Sequence, residues 1–330
     1  MAKSKMRSIG SHFTVLAALA AACLGWGLCA AQGFPTRAIH MVVPYGPGGA
    51  PDVLPRVIGK KLTEELGWQI VIDNRPGAGG LIACELVAKA APDGYTLLVA
   101  GTSQLALNPA FYPRIPYDPI KDFSPITLAV STPLFLVANA QLPVRSVKDL
   151  IDYARANPGV HFGSSGNGSI HQLGMELFKL TAGVRMEHVP FKGVAQSIPA
   201  ILSGDIAVML VALPSVLPHV KSGKLRILGA AGERRSALVP ELPTIAEQGL
   251  AGYAISTEIG FMAPVGTPED IVDRLSRQIT TVLTAPDVVR QLTPLGIDTI
   301  ASSPAEYRDS LRPNLEKYAR LIKLSGAKID

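Results

Sequence analysis

Short apolar runs alternate with amphipathic stretches along most of the chain. Residues 40–43, 69–72, 95–100, 160–163, 187–189, 206–210 and 225–230 predict strands. Residues 53–66, 81–90, 171–182 and 194–202 predict helices placed between strands. Ser146, with Asp149 three residues on, caps a further helix that Asn157-Pro158-Gly159 ends. Thr267-Pro268-Glu269-Asp270 reads as a helix start, with Thr as N-cap, Pro at the first position and acids in the first turn. Ile271, Val272, Leu275, Ile279, Val282 and Leu283 follow it at helical spacing. Ser303-Pro304-Ala305-Glu306 opens the last helix, and Pro313 predicts a kink or break in it. Strands alternating with helices imply α/β layers, in which ligands sit beyond the carboxyl ends of strands.

The first residues follow a different pattern. Lys3, Lys5 and Arg7 precede an apolar run, and Cys29-Ala30-Ala31 puts small residues before Gln32. This is the layout of a cleaved signal peptide over residues 1–31. Two other readings of the segment are a membrane anchor and a lipoprotein with Cys23 as the modified residue. The expectation is secretion into the periplasm and a mature chain of 299 residues, long enough for two domains.

Composition excludes several function classes. The full chain carries a net charge of +5, of which three positive charges lie in the signal, so the basic balance says little about partners. No run of Lys and Arg suggests a nucleic-acid surface. Cys84 is the single cysteine beyond the signal, which rules out an internal disulfide, and zinc-ligand spacings are absent. No cofactor and no metal are implied. Past the signal, no unbroken apolar run reaches membrane-spanning length, so the mature protein is expected to be soluble.

Three loops carry the candidate chemistry. The first, Tyr45-Gly46-Pro47-Gly48-Gly49-Ala50-Pro51-Asp52, joins a strand to a helix start, where free N–H groups and the helix dipole favour an anion. The second is Gly101-Thr102-Ser103, and the third runs from Gly163 through Ser164, Gly166 and Gly168 to Ser169. Glycine lets the backbone approach a ligand closely, and hydroxyls add directional hydrogen bonds. Plain turn chemistry explains any one such loop. Three at predicted strand ends point to a site.

Residues 34–322 resemble the solute-binding proteins of tripartite tricarboxylate transporters, the Bug family. The resemblance rests on Val42-Val43-Pro44-Tyr45 with Pro47-Gly48-Gly49, Asn74 through Gly80, Pro92-Asp93-Gly94-Tyr95, Asn108-Pro109, Gly163-Ser164-Ser165-Gly166, His188 through Gly193, Leu213-Pro214-Ser215 and Ala263 through Pro268. It implies a type II periplasmic binding protein: two α/β lobes joined by two crossing segments, with the ligand between them. Lobe 1 is expected at residues 32–130 and 255–330, and lobe 2 at 131–254. It implies a small carboxylate ligand, delivery to membrane permease subunits, and a monomer. Carried over, the contacts are Tyr45, Gly48, Gly49, Asp52, Thr102 and Ser103 on one side. Ser164, Gly166, Gly168, Ser169, Phe191 and Gly193 supply the other. Asp52 is read first as a helix cap.

The chain departs from the family pattern where specificity is expected to be set. Ile170-His171-Gln172 replaces a hydroxyl-rich run, Phe191 stands for a Tyr, Leu210-Val211-Ala212 lacks an acid and an amide, and Glu258 stands for an aromatic. His171 is read as a donor to the ligand or a rim residue. Glu258 is read as a partner for a ligand ammonium or for a nearby Lys. The ligand expected is longer or more apolar than a short dicarboxylate. Two other functions stay open at this point: a sensor that signals to a membrane partner, and a hydrolase using Ser165. The hydrolase lacks the Gly-x-Ser-x-Gly spacing, since Asn167 takes the place of the last Gly.

Overall fold

The structure is a computed structural model that describes residues 33–327, so the signal-peptide reading lies outside the described residues. Residues 33–37 belong to a separate N-terminal unit, Met1–Arg37, and carry no helix or strand; the elements below lie within Ala38–Asp330. The chain opens with β1 (Ile39–Val43), α1 (Ala50–Leu66), β2 (Ile70–Asn74), α2 (Leu81–Ala88) and β3 (Thr96–Gly101). A π-helical turn (Ser103–Leu107) and the short α3 (Asn108–Phe111) follow. Next come β4 (Phe123–Asn139), α4 (Val147–Ala156), β5 (Val160–Ser164), α5 (Ile170–Ala182), β6 (Met186–Pro190), α6 (Val194–Ser203), β7 (Val208–Ala212), α7 (Leu213–Lys221) and β8 (Leu225–Ala230). The chain closes with β9 (Ser256–Pro264), α8 (Glu269–Thr284), α9 (Pro286–Leu292), β10 (Asp298–Thr299) and α10 (Pro304–Ser325).

Local signals account for many of these boundaries. Gly67, at φ 68°, ends α1 in the left-handed conformation that glycine adopts without a Cβ clash. Ser146 caps α4 by accepting from the Asp149 N–H. Ser303 and Glu306 form a reciprocal capping box at α10.

One start signal and one predicted break behave differently from expectation. The Thr267 hydroxyl turns back to the Pro264 carbonyl, 2.8 Å away, so α8 begins at Glu269 with Pro268 in the cap position. Pro313 neither breaks nor splits α10, which runs through it. Pro313 and Asp309, whose carbonyl loses its partner, are both exposed, so water can satisfy that group.

The sheet is organised around β4. Its first part pairs antiparallel with β9, from Phe123 opposite Pro264 to Pro133 opposite Ser256, and β10 adds on its other edge. β9 then pairs with β3, and β1 lies parallel between β3 and β2. From Leu134 onward the same strand pairs with β7 and β8, and β5 joins β7 to β6 in parallel. One 17-residue strand thus belongs to two sheets. The chain returns next to this crossing: Ala231 donates to the Leu134 carbonyl, Ile255 donates to the Ala231 carbonyl, and β9 begins.

The sequence pattern predicts no strand at β4 or β9, and in α7 it offers only the family-like stretch Leu213-Pro214-Ser215. β4 contains Pro125 and Pro133, which argue against a central strand. Both are accommodated. Pro125 lies at a register shift, and Pro133 is the last residue paired with β9 before the strand changes sheets.

Helices cover both sheets. Tyr307 and Leu311 of α10 pack with Val42, Leu98 and Met262 in the core of the first sheet. Tyr318 and Leu321 of the same helix pack with Leu173 and Phe178 in the core of the second. Tyr307 lies flat on β9 because residue 260 is glycine. A Cβ there would stand 2.5–2.6 Å from three atoms of the Tyr307 ring and hydroxyl. Gly260→Ala is therefore expected to destabilise the fold by roughly 1–3 kcal/mol, the usual range for overpacking. Chemical denaturation, read as a midpoint shift at constant slope, checks this.

Candidate functional site

The loops that follow β1, β2, β3 and β5 meet at a cavity of about 250 Å³. Pro44, Tyr45, Gly77, Gly79, Gly80, Ser103, Gln104 and Asn108 form most of its wall, and Gly168 closes it from the second sheet. Leu107, Phe111 and Tyr112 give it an apolar and aromatic side. No lining residue is a Lys, Arg, His, Asp or Glu.

Its floor is a connected network of neutral groups. The Tyr45 hydroxyl donates to Gln104 Oε1 at 2.6 Å, and the Gly101 N–H donates to the same oxygen at 3.2 Å. Gln104 Nε2 and Asn108 Nδ2 both donate to the Gly79 carbonyl, at 3.0 and 2.9 Å. Tyr117 Oη donates to the Gln104 carbonyl at 2.6 Å. Gly101 is required here, since a Cβ would stand 2.5 Å from Tyr45 Oη. Burial pushes the Tyr45 phenol up to about 12, so it stays a neutral donor at pH 7. The loop after β2 has positive φ at four successive residues: Gly77 (116°), Ala78 (46°), Gly79 (64°) and Gly80 (87°). A left-handed Ala costs energy that the packed loop must supply.

The opening loop is less free to bind an anion than its sequence suggests. Asp52, in the first turn of α1, is 3% exposed. Its Oδ2 accepts from the Gly48 N–H at 2.9 Å. Its Oδ1 accepts from Arg56 Nε and Nη2 at 3.0 and 2.8 Å, and from Asn74 Nδ2 at 2.8 Å. The Arg56 guanidinium leads in holding Asp52 down to about 2, against burial. An ionised carboxylate thus already sits at the positive end of α1 and uses the Gly48 donor. Gly49 is the N-cap of α1, and Asp52 lies in the first turn, where it ties the helix back to the loop at Gly48 rather than capping it.

The third loop is self-bonded in the same way. Ser169 Oγ accepts from the Gln172 N–H at 3.2 Å, while Gln172 Oε1 accepts from the Gly168 N–H at 2.7 Å. Ser169 thus caps α5, and Gln172 reaches past the cap to the preceding residue. Ser164 is fully buried: its Oγ lies 2.6 Å from His188 Nε2 and donates to the Gly166 carbonyl at 3.0 Å. Ser165 Oγ lies 2.7 Å from His171 Nδ1. Burial pushes the His171 imidazole down to about 4, leaving it neutral and weakly basic at pH 7. The Phe191 and Gly193 N–H groups donate to the Ser164 and Ser165 carbonyls.

Of the residues singled out from the sequence, Tyr45, Ser103 and Gly168 line the cavity together. Gly48, Gly49, Thr102, Ser164, Gly166, Ser169, His171, Phe191 and Gly193 belong to the surrounding loops and do not line it. Val211 is fully buried, paired with Phe135, in the core of the second sheet. Its face of β7 is covered, which no single-strand reading reveals. Glu258 points to a separate internal cavity against α10. Sequence reasoning missed Gln104, Asn108, Phe111 and Tyr112, which depend on the π-helical turn after β3. The one usable signal was the run of glycines at residues 77–80.

Two α/β halves around a loop-lined cleft define a solute-binding receptor of the periplasmic binding class. Residues 54–327 match the Tripartite tricarboxylate transporter family receptor family, TctC, and the chain belongs to it. The chain is similar to BugT of Bordetella pertussis, at 36% identity, with 91% of this chain and 92% of that protein covered. It is also similar to Rpa4515 of R. palustris, solved with adipate, at 34% identity and a TM-score of 0.73, covering 89% of this chain and 99% of that one. MatC (Rpa3494) from Rhodopseudomonas palustris, solved with bound malate, is 30% identical with a TM-score of 0.68, covering 88% and 100%.

The Asp52 geometry carries a pH dependence. Asp52 ionises more readily folded than unfolded, so its contribution is full above about pH 4 and fades as pH falls through about 2. Allowing for screening at the half-exposed Arg56, Asp52→Asn should lose roughly 1–2 kcal/mol at pH 7. Urea denaturation of both proteins between pH 2 and 7 should show the difference closing at the acid end.

Proposed function

We propose that this chain is an exported receptor that captures a small carboxylate in the cleft between its lobes and passes it to the membrane subunits of a tripartite transporter. The observation that carries this reading is the cavity shared by Tyr45, Gly77, Gly79, Gly80, Ser103, Gln104 and Asn108 on one side and Gly168 on the other. Family membership supports the receptor role, and the adipate and malate held by similar proteins support the ligand class. The lobes divide where β4 and the start of β9 cross, so ligand contacts from both halves favour closure. Among the described residues, no helix is long and apolar enough to cross a membrane. The basic-then-apolar pattern of residues 1–31 supports export, with cleavage before Gln32.

The walls also select within the carboxylate class. Leu107, Phe111 and Tyr112 favour an apolar or aromatic body. The ligand is therefore a carboxylate with an apolar portion longer than that of a short dicarboxylate. The Ser165–His171 pair does not change the reading, because a neutral imidazole held near 4 is a poor base for hydrolysis at pH 7.

A thermal-shift and calorimetry panel of malate, succinate, adipate, hexanoate and benzoate tests both levels. A ligand at a hundred times its Kd should stabilise the protein by about 2.7 kcal/mol. Adipate, hexanoate or benzoate should shift Tm more than malate or succinate. Phe111→Ala should weaken the best ligand about tenfold or more while leaving the free protein folded. No shift with any carboxylate would sink the receptor reading; a preference for malate and succinate would sink only the selectivity. Mass spectrometry of the exported protein should find Gln32 at its N-terminus.

A further inference from the structure

We propose that Glu258, Tyr307, Asn314 and Thr102 form an internal site for a single water molecule that fastens α10 to the crossing strand β9. The four residues, with Leu105, Leu128 and Leu311, line a cavity of about 20 Å³. A water needs about 10–15 Å³ of such space and two to four polar partners. The space holds one water and no more.

The partners are arranged for it. Tyr307 is 2% exposed, and its hydroxyl has no hydrogen-bond partner within the protein. Its ring is held over Gly260, two residues along β9 from Glu258, so both side chains stand on the same face of the strand. The Glu258 N–H donates to Thr102 Oγ1 at 2.9 Å, and Asn314 Nδ2 donates to Glu258 Oε2 at 3.3 Å. The Glu258 carboxyl keeps hydrogen-bonding capacity for a bridge to the Tyr307 hydroxyl.

Burial raises Glu258 above the usual carboxyl range, opposed by Lys317 and reinforced by Glu233. The titratable and charged groups around the site are Tyr307, Lys317 and Tyr318 on α10, Glu233 after β8, and Tyr45 after β1. The site also bears on the cleft, because Thr102 directly precedes Ser103 in the cavity wall.

Three measurements test this on the mature chain. A high-resolution crystal structure should show density within hydrogen-bond distance of Tyr307 Oη and the Glu258 carboxyl, and Tyr307→Phe should lose it. Tyr307→Phe should also lower Tm by about 2–4 °C; a hydroxyl that is merely buried and unbonded predicts an unchanged or higher Tm. Wild-type stability should fall relative to Glu258→Gln as pH rises through the carboxyl range, since a carboxyl whose ionisation burial disfavours in the fold loses its advantage when the unfolded chain ionises. An empty cavity with an unchanged or raised Tm overturns the proposal. So does a Tm that follows sodium or potassium concentration, which identifies a cation. If Tyr307→Phe does not fold, the wild-type density and the Glu258→Gln pH profile decide alone.

Discussion

Everything in this molecule depends on one strand being shared by two sheets. β4 pairs with β9 and β10 along its first part and with β7 and β8 along the rest. The change falls at Pro133 and Leu134, where a residue without an N–H ends one ladder before the next begins. The return path uses the same place, through the Ala231–Leu134 and Ile255–Ala231 bonds. Two α/β halves are thereby held edge to edge, with the carboxyl ends of their parallel strands turned toward one cleft. α10 spans the junction, with Tyr307 and Leu311 in one core and Tyr318 and Leu321 in the other.

The second theme is that the cleft is polar without being charged. Glycine-rich loops suggest a bare anion seat, yet their strongest donors are engaged locally. Asp52 takes the Gly48 N–H and Gln172 takes the Gly168 N–H. Asp52 is neutralised by Arg56 outside the cavity, and Gln104 and Asn108 tie the floor to the Gly79 carbonyl. A cavity so lined offers a ligand shape and hydrogen bonds from its loops rather than an ion pair. Its low charge is consistent with a receptor that must also release what it binds.

The strand–helix alternation of the sequence was enough for the α/β class, and capping residues marked helix starts at Ser146 and Ser303. The loops after β1, β3 and β5 were legible as site material because glycine and hydroxyl residues stood at predicted strand ends. What escaped was set by distant partners. β4 carries two prolines, Pro125 and Pro133, that only its neighbours accommodate. Gln104 and Asn108 became site residues through a π-helical turn that no periodicity announces. Val211 and Glu258 were drawn to the cleft by alignment with relatives, while their faces of β7 and β9 are covered by core and by α10.

By itself the sequence determined the local order of strands and helices, the loops rich in glycine and hydroxyls, and the family to which the chain belongs, because these depend on neighbouring residues and on motifs in fixed order. Only the tertiary structure decided which donors remain available, which face of each strand meets the cleft, and where Glu258 points. Those outcomes turn on groups far apart in the chain, such as Tyr45 with Gln104 and Glu258 with Asn314, that become neighbours only when two sheets close on one shared strand.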